Sequence, residues 1–148
     1  GSCAAGFFLP NSESNCISMP ASLWHELGGC DTKFNLQGGG LVNLDLYRRA
    51  CESPGVTHVI TPGEGTFHQF HGGVTTGGKN TQVRAALIEA CEKQYLELRG
   101  YPFASPDTEP VFIGEMPVQV QRFLRESSRR VSEARQDDGT VKHLKLLK

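Results

Sequence analysis

Between an apolar run, Val56 to Ile60, and an amphipathic one that begins near Thr81 lies Gly63-Glu64-Gly65-Thr66-Phe67-His68-Gln69-Phe70-His71-Gly72-Gly73. This stretch limits what the chain can fold into more than any other. Its glycines neither propagate a helix nor hold a strand, so it reads as a loop that a strand delivers and a helix follows. Among the glycines sit a carboxylate, two imidazoles and an amide. Functional groups concentrate on loops held by a rigid scaffold, and this loop has the chemistry for metal or phosphate contact.

The spacing of apolar residues places the other elements. Ser22 to Leu27 reads as a short helix, with Pro20 near its start and Gly28-Gly29 ending it. Asp31 to Gly40 is loop and closes on three glycines. A second helix is predicted from about Leu41 to Glu52. Leu41, Leu44, Tyr47 and Cys51, with Val42, Leu46 and Ala50, form two adjacent apolar stripes, which leaves Asp45, Arg48, Arg49 and Glu52 as the polar stripe. Pro54-Gly55 turns the chain into the strand Val56 to Ile60. The clearest helix runs roughly from Thr81 to Leu98, its core stripe being Val83, Ala86, Leu87, Ala90, Cys91, Tyr95 and Leu98. Gly100 stops it. Tyr101 to Pro110 is an extended connector, Val111 to Ile113 a short strand, and Pro117 opens a last helix to about Arg135. The expected architecture is α/β, with few short strands and three to four helices. One domain spans 1–136, and a flexible tail spans 137–148.

A chain of 148 residues is long enough to bury a core. Its formal net charge of -1 argues against a general nucleic-acid binder, which carries a basic excess. The Lys and Arg surplus gathers from Gln119 onward, where a solvated helix face and tail account for it. Cys3, Cys16, Cys30, Cys51 and Cys91 are scattered and include no Cys-x-x-Cys spacing. They read as reduced thiols in a cytoplasmic protein. No apolar run reaches the roughly 20 residues of a membrane span, and no basic segment of a signal peptide opens the chain. Gly1-Ser2 in place of an initiator Met leads to the expectation that the chain is a piece of something longer.

Several constellations carry chemistry, each beside a plainer reading. His68 and His71 are three apart and would face opposite sides of a strand, while Gly72-Gly73 leaves no room for a helix to align them. As a loop pair they ligate one ion, or one ligates and its neighbour orients it. Imidazole suits Zn, Mn, Fe or Cu, and Glu64 adds a hard oxygen. The alternative is a histidine bonded to backbone in a tight turn. Gly38-Gly39-Gly40 leads into a helix, where amides and the helix dipole favour an anion. It has neither the Walker nor the Rossmann spacing, and a flexible helix start explains it equally well. Asp45 is a candidate general base or substrate ligand. It also stands three and four residues before Arg48 and Arg49, the spacing of an intrahelical ion pair. Asp31 caps a turn or binds a sugar hydroxyl. Trp24, the only tryptophan, belongs to a core or lines a carbohydrate site. No nucleophile elbow and no protease-like Cys/His signature is present.

Taken together, Trp24-His25-Glu26-Leu27-Gly28-Gly29-Cys30-Asp31, Gly38-Gly39-Gly40-Leu41-Val42-Asn43-Leu44-Asp45-Leu46-Tyr47-Arg48-Arg49, the segment Gly63 to Gly73 and Tyr95 to Phe103 resemble the C-terminal, acceptor-side half of a bacterial family 2 glycosyltransferase with the GT-A fold. The resemblance covers about residues 14 to 130. It implies a partial GT-A fold without the nucleotide-binding half, and acceptor-side roles for Trp24, Asp31, Gly39, Gly40 and Asn43. It also implies a divalent metal, Mn²⁺ or Mg²⁺, at His68 or His71, and a nucleotide sugar and a glycan or lipid-linked acceptor as partners. The family's Glu-Asp-x-Asp-Leu reads Val42-Asn43-Leu44-Asp45-Leu46 here, so the position of the usual base is an amide: either Asp45 or Glu64 replaces it, the reaction is retaining, or this branch no longer transfers sugar. The Gly-Gly-Phe-Asp-Glu form reads Gly28-Gly29-Cys30-Asp31-Thr32, and the chain has no Asp-x-Asp. By itself such a half is expected to turn over nothing, and its missing sheet partners predict exposed apolar edges and association between copies. Two rivals stay open: a non-catalytic sugar- or partner-binding module, which Asn43 favours, and a non-haem metal enzyme using His68, His71 and Glu64.

Overall fold

The computed structural model describes residues 16–61, 64, 81–115, 118–121, 125 and 129. The chain is mixed α/β. Helix α1 covers Ala21–Leu27, α2 Val42–Cys51 and α3 Thr81–Arg99; strand β1 is Val59–Ile60 and β2 Val111–Phe112, with single 3₁₀ turns at Gln37–Gly39 and Val118–Val120. The last predicted helix falls largely, and the tail at 137–148 wholly, outside the described residues.

Helix α1 ends as its glycines require. Gly28 adopts the left-handed conformation at φ 70°, and the Gly28 and Gly29 amides bond back to the His25 and Trp24 carbonyls at 3.1 and 3.0 Å. The second glycine cluster ends in Gly40 at φ 57°, ψ -126°. It is the backbone angle that favours glycine there; a Cβ would come within 3.1 Å of the Gln94 side-chain oxygen, so this loop also approaches α3 closely.

Strands β1 and β2 are parallel, with Val59 opposite Val111 and Ile60 opposite Phe112. The Val111 and Ile113 amides donate to the His58 and Ile60 carbonyls at 2.8 and 3.0 Å. The first strand is shorter than its apolar run because the Val56 amide is already bonded to the Ser53 carbonyl, which closes the Pro54-Gly55 turn. Val59, Val111, Phe112 and Ile113 are exposed. Parallel sheets ordinarily bury both faces, so this pair presents an apolar surface that a longer sheet would cover.

Phe34, Leu46, Tyr47, Ala50, Cys51, Cys91 and Tyr95 form the core. Two expectations are corrected. Asp45, assigned to the polar stripe of α2, has no exposed surface at all. The stripe of α3 is buried only at Cys91 and Tyr95; Val83, Ala86 and Ala90 are exposed. Periodicity identified the helix but not how much of it the body covers. Cys16 and Cys30 are exposed, Cys51 and Cys91 buried, and all four are free thiols. No described helix is long and apolar enough to cross a membrane.

Candidate functional site

The polar centre of the structure is built on Asp45. Its carboxylate accepts from Arg49 Nε at 2.8 Å (Oδ2), from Arg99 Nε at 2.7 Å (Oδ1) and from Arg99 Nη2 at 2.7 Å (Oδ2). Of the two arginines that spacing offered to Asp45, only Arg49 is used; Arg48 turns to Glu52 at 3.0 Å and lies over the Tyr101 ring. Arg49 also donates to the Leu27 and Gly29 carbonyls at 2.7 and 2.8 Å, tying the end of α1 to α2. Arg99 Nη1 donates to Asp31 Oδ2 at 2.9 Å. The other Asp31 oxygen accepts from the Lys33 amide at 3.0 Å, the turn-capping role weighed for it.

Two guanidinium groups thus face two carboxylates, and the charges cancel locally. Burial by itself would raise the Asp45 carboxyl, but the hydrogen bonds from Arg99 and Arg49 hold it below its ordinary value. Asp31 is also held low, first by the Lys33 amide and, against a smaller effect of burial, by Arg99. Both carboxylates are ionised at neutral pH, and Asp45 has no open edge from which to take a proton from a ligand.

A cavity of about 510 Å³ opens beside this network, lined by residues 27–32 with Arg49 and Arg99. Trp24 is not in its wall but packs against one lining residue, Gly29. The indole lies against the Gly29 backbone, where a Cβ would meet ring carbon Cζ2 at 2.8 Å. Yet 41% of Trp24 is exposed, so the ring is neither core nor fully solvated. Gly39 and Gly40 lie half-buried before α2, and Asn43 is exposed in its first turn.

A second cavity, about 430 Å³, lies on the other side of α2 and includes Leu23, Tyr47, Cys51, His58, Thr61 and Glu64 in its wall. Glu64 is exposed, its amide bonded to the Thr61 carbonyl at 3.0 Å. Of the two carboxylates proposed as bases, it is the one open to a ligand. Cys51 is no nucleophile, because burial pushes its thiol up to about 11. His58 bridges three segments: Nε2 lies 2.8 Å from the Tyr47 hydroxyl on α2, Nδ1 lies 3.3 Å from the Thr108 hydroxyl on the connector, and its carbonyl receives the first bond from β2.

Burial pushes the His58 imidazole below its ordinary value, so the unfolded chain takes up a proton there before the folded chain does. Stability from the neutral ring is complete above about pH 6.5 and is lost as pH falls from there toward the folded-state value. Urea midpoints are expected to drop over this window, and His58→Asn to flatten the slope.

The candidate ligands His68 and His71 lie outside the described residues, as does the glycine framing around them. Among the described residues no group of three or more His, Cys, Asp or Glu side chains comes together to hold a metal. Arg99 and His58 were not singled out by sequence. Arg99 had a signal: it continues the Cys91, Tyr95 row at i, i+4, i+8, so it ends the one stripe of α3 that packs. His58 had none beyond its place before a strand. No protein-family model, curated protein or solved structure matches the chain.

Proposed function

We propose that this chain is the acceptor-side half of a GT-A-type glycosyltransferase, acting in sugar transfer from a nucleotide donor to a glycan or lipid-linked acceptor. The observation that carries the reading is the union of two segments distant in sequence. The Gly28–Asp31 loop and the α2 segment, both assigned to the acceptor side by the resemblance, meet through Asp31, Arg99 and the buried Asp45; Asp31 and Arg99 line an open cavity with Gly29, against which the half-exposed Trp24 packs. An aromatic face next to polar hydrogen-bonding groups suits a sugar ring, which has one apolar face and a hydroxyl rim.

In this reading Asp45 is a counter-ion, and Glu64, the other candidate base, lines the second cavity across α2 rather than the one that takes the acceptor. The acceptor hydroxyl bonds to the anomeric carbon, its proton passes to a base of the completed enzyme, and the bond from that carbon to the diphosphate breaks. A divalent metal at His68 or His71 supplies positive charge against the leaving diphosphate when bound. The exposed β1–β2 pair is where the nucleotide-binding half, or a second copy, extends the sheet.

A binding module without turnover is favoured by one observation: Asn43 stands where the family's base belongs, and Asp45 is fully engaged by arginines. Ligand-observed saturation-transfer NMR with glucose, galactose and N-acetylglucosamine tests the acceptor side common to both. Saturation is expected to reach at least one sugar and to fall by about tenfold or more in Trp24→Ala, the scale of one lost stacking contact. A folded wild-type chain that transfers none removes the acceptor site from this surface.

A further inference from the structure

Three guanidinium nitrogens of Arg99 donate to two carboxylates on two different segments. Nε and Nη2 take both oxygens of Asp45 on α2, and Nη1 takes Asp31 in the loop after α1. The Arg99 Cζ lies over the Phe34 ring, 5.2 Å from the centroid. Arg99 is itself the last residue of α3. One planar group therefore ties the end of α3 and the first turn of α2 to the loop that lines the cavity.

Arg49 and Arg99 divide the work. Arg49 holds the loop's backbone through the Leu27 and Gly29 carbonyls, whereas Arg99 holds the Asp31 side chain. We infer that Arg99 is a positioning residue for the Gly28–Asp31 loop, setting the Asp31 carboxylate for an acceptor saccharide without itself touching the reacting atoms. This rests on the acceptor-side reading of that loop. Lysine cannot substitute, because a single ammonium lacks the fork that spans both oxygens of one carboxylate while reaching a second.

The test compares wild type, Arg99→Lys, Asp31→Asn and the double variant by amide hydrogen exchange over residues 28–33 and over α2, with the same saccharide NMR. Arg99→Lys is expected to speed exchange in the loop by about tenfold or more, the scale of one lost charged hydrogen bond, and to loosen α2 as well through Asp45, whereas Asp31→Asn is expected to loosen the loop alone. If Arg99 acts through Asp31, adding Asp31→Asn to it changes the loop no further. Additive effects in the loop, or α2 loosening in Asp31→Asn, overturn the inference. Should Arg99→Lys fail to fold, Asp31→Asn alone, which leaves the paired bonds to Asp45 intact, must loosen the loop; wild-type exchange in that variant overturns it.

The saccharide arm separates the two failures. Sugar binding by wild type that Arg99→Lys retains in full refutes the positioning role and leaves the acceptor reading standing. No binding by wild type, with a loop that still responds to Arg99→Lys, refutes the acceptor reading while the mechanical tie survives.

Discussion

Asp45→Ala is expected to unfold the chain or leave it on the edge of unfolding at 25 °C. The substitution removes a fully buried carboxylate and leaves the Arg49 and Arg99 side chains, 26% and 19% exposed, without their shared counter-ion. Breaking one side of a buried ion pair costs about 3–5 kcal/mol, against a total of about 5–15 kcal/mol for a domain. Arg99 keeps Asp31, which limits the loss on that side; Arg49 keeps only backbone carbonyls. Asp45→Asn retains an oxygen to accept from one guanidinium and is expected to lose less. Urea unfolding followed by far-UV circular dichroism gives the order wild type, Asn, Ala. Equal stability of Ala and wild type would mean that the network is decoration.

The second large effect belongs to Tyr95. Only 1% of it is exposed, and its ring lies 5.2 to 6.0 Å from those of Phe103, Phe34 and Tyr101, edge-on to Phe103 and Tyr101 and tilted against Phe34. Truncation to alanine removes a buried aromatic and leaves a cavity, worth about 3–5 kcal/mol. It also removes the most buried contact of α3, so the melting temperature is expected to fall by about 2–4 °C for each kcal/mol lost. Tyr95→Phe keeps the ring contacts and is expected to cost about 1 kcal/mol, the loss of a hydroxyl bond. If Ala and Phe behaved alike, the hydroxyl rather than the ring would hold α3 to the body.

These two residues also mark what can be read from sequence and what cannot. Helices α1 and α2 start and stop within a residue or so of where prolines, glycines and periodicity put them, because those signals are local. The parallel pairing of Val59 with Val111 joins segments far apart in the chain, and nothing in either run specifies its partner. Asp45 is the sharpest case. Its helical spacing offered two arginines, and the choice of Arg49 was local, but the group that draws it inside is Arg99, 54 residues away. A carboxylate looks solvated on a helical wheel until a distant cation meets it. The exposed half of α3 errs in the other direction: Val83, Ala86 and Ala90 keep a core-like spacing that, by itself, does not say whether anything covers it. The Gly28–Asp31 cavity was legible as residues and not as a shape.

The central claim is that this chain takes part in sugar transfer from a nucleotide donor. Its most direct test is calorimetric titration of uridine and guanosine diphosphate into the folded chain, with and without Mn²⁺, beside His68→Ala and His71→Ala. The account predicts heat that requires Mn²⁺ and disappears in at least one of the two variants while their circular dichroism stays that of wild type. A folded wild-type chain that gives no Mn²⁺-dependent heat with either nucleotide would contradict a metal–diphosphate site at the His68/His71 loop and leave an acceptor-side half or a binding module.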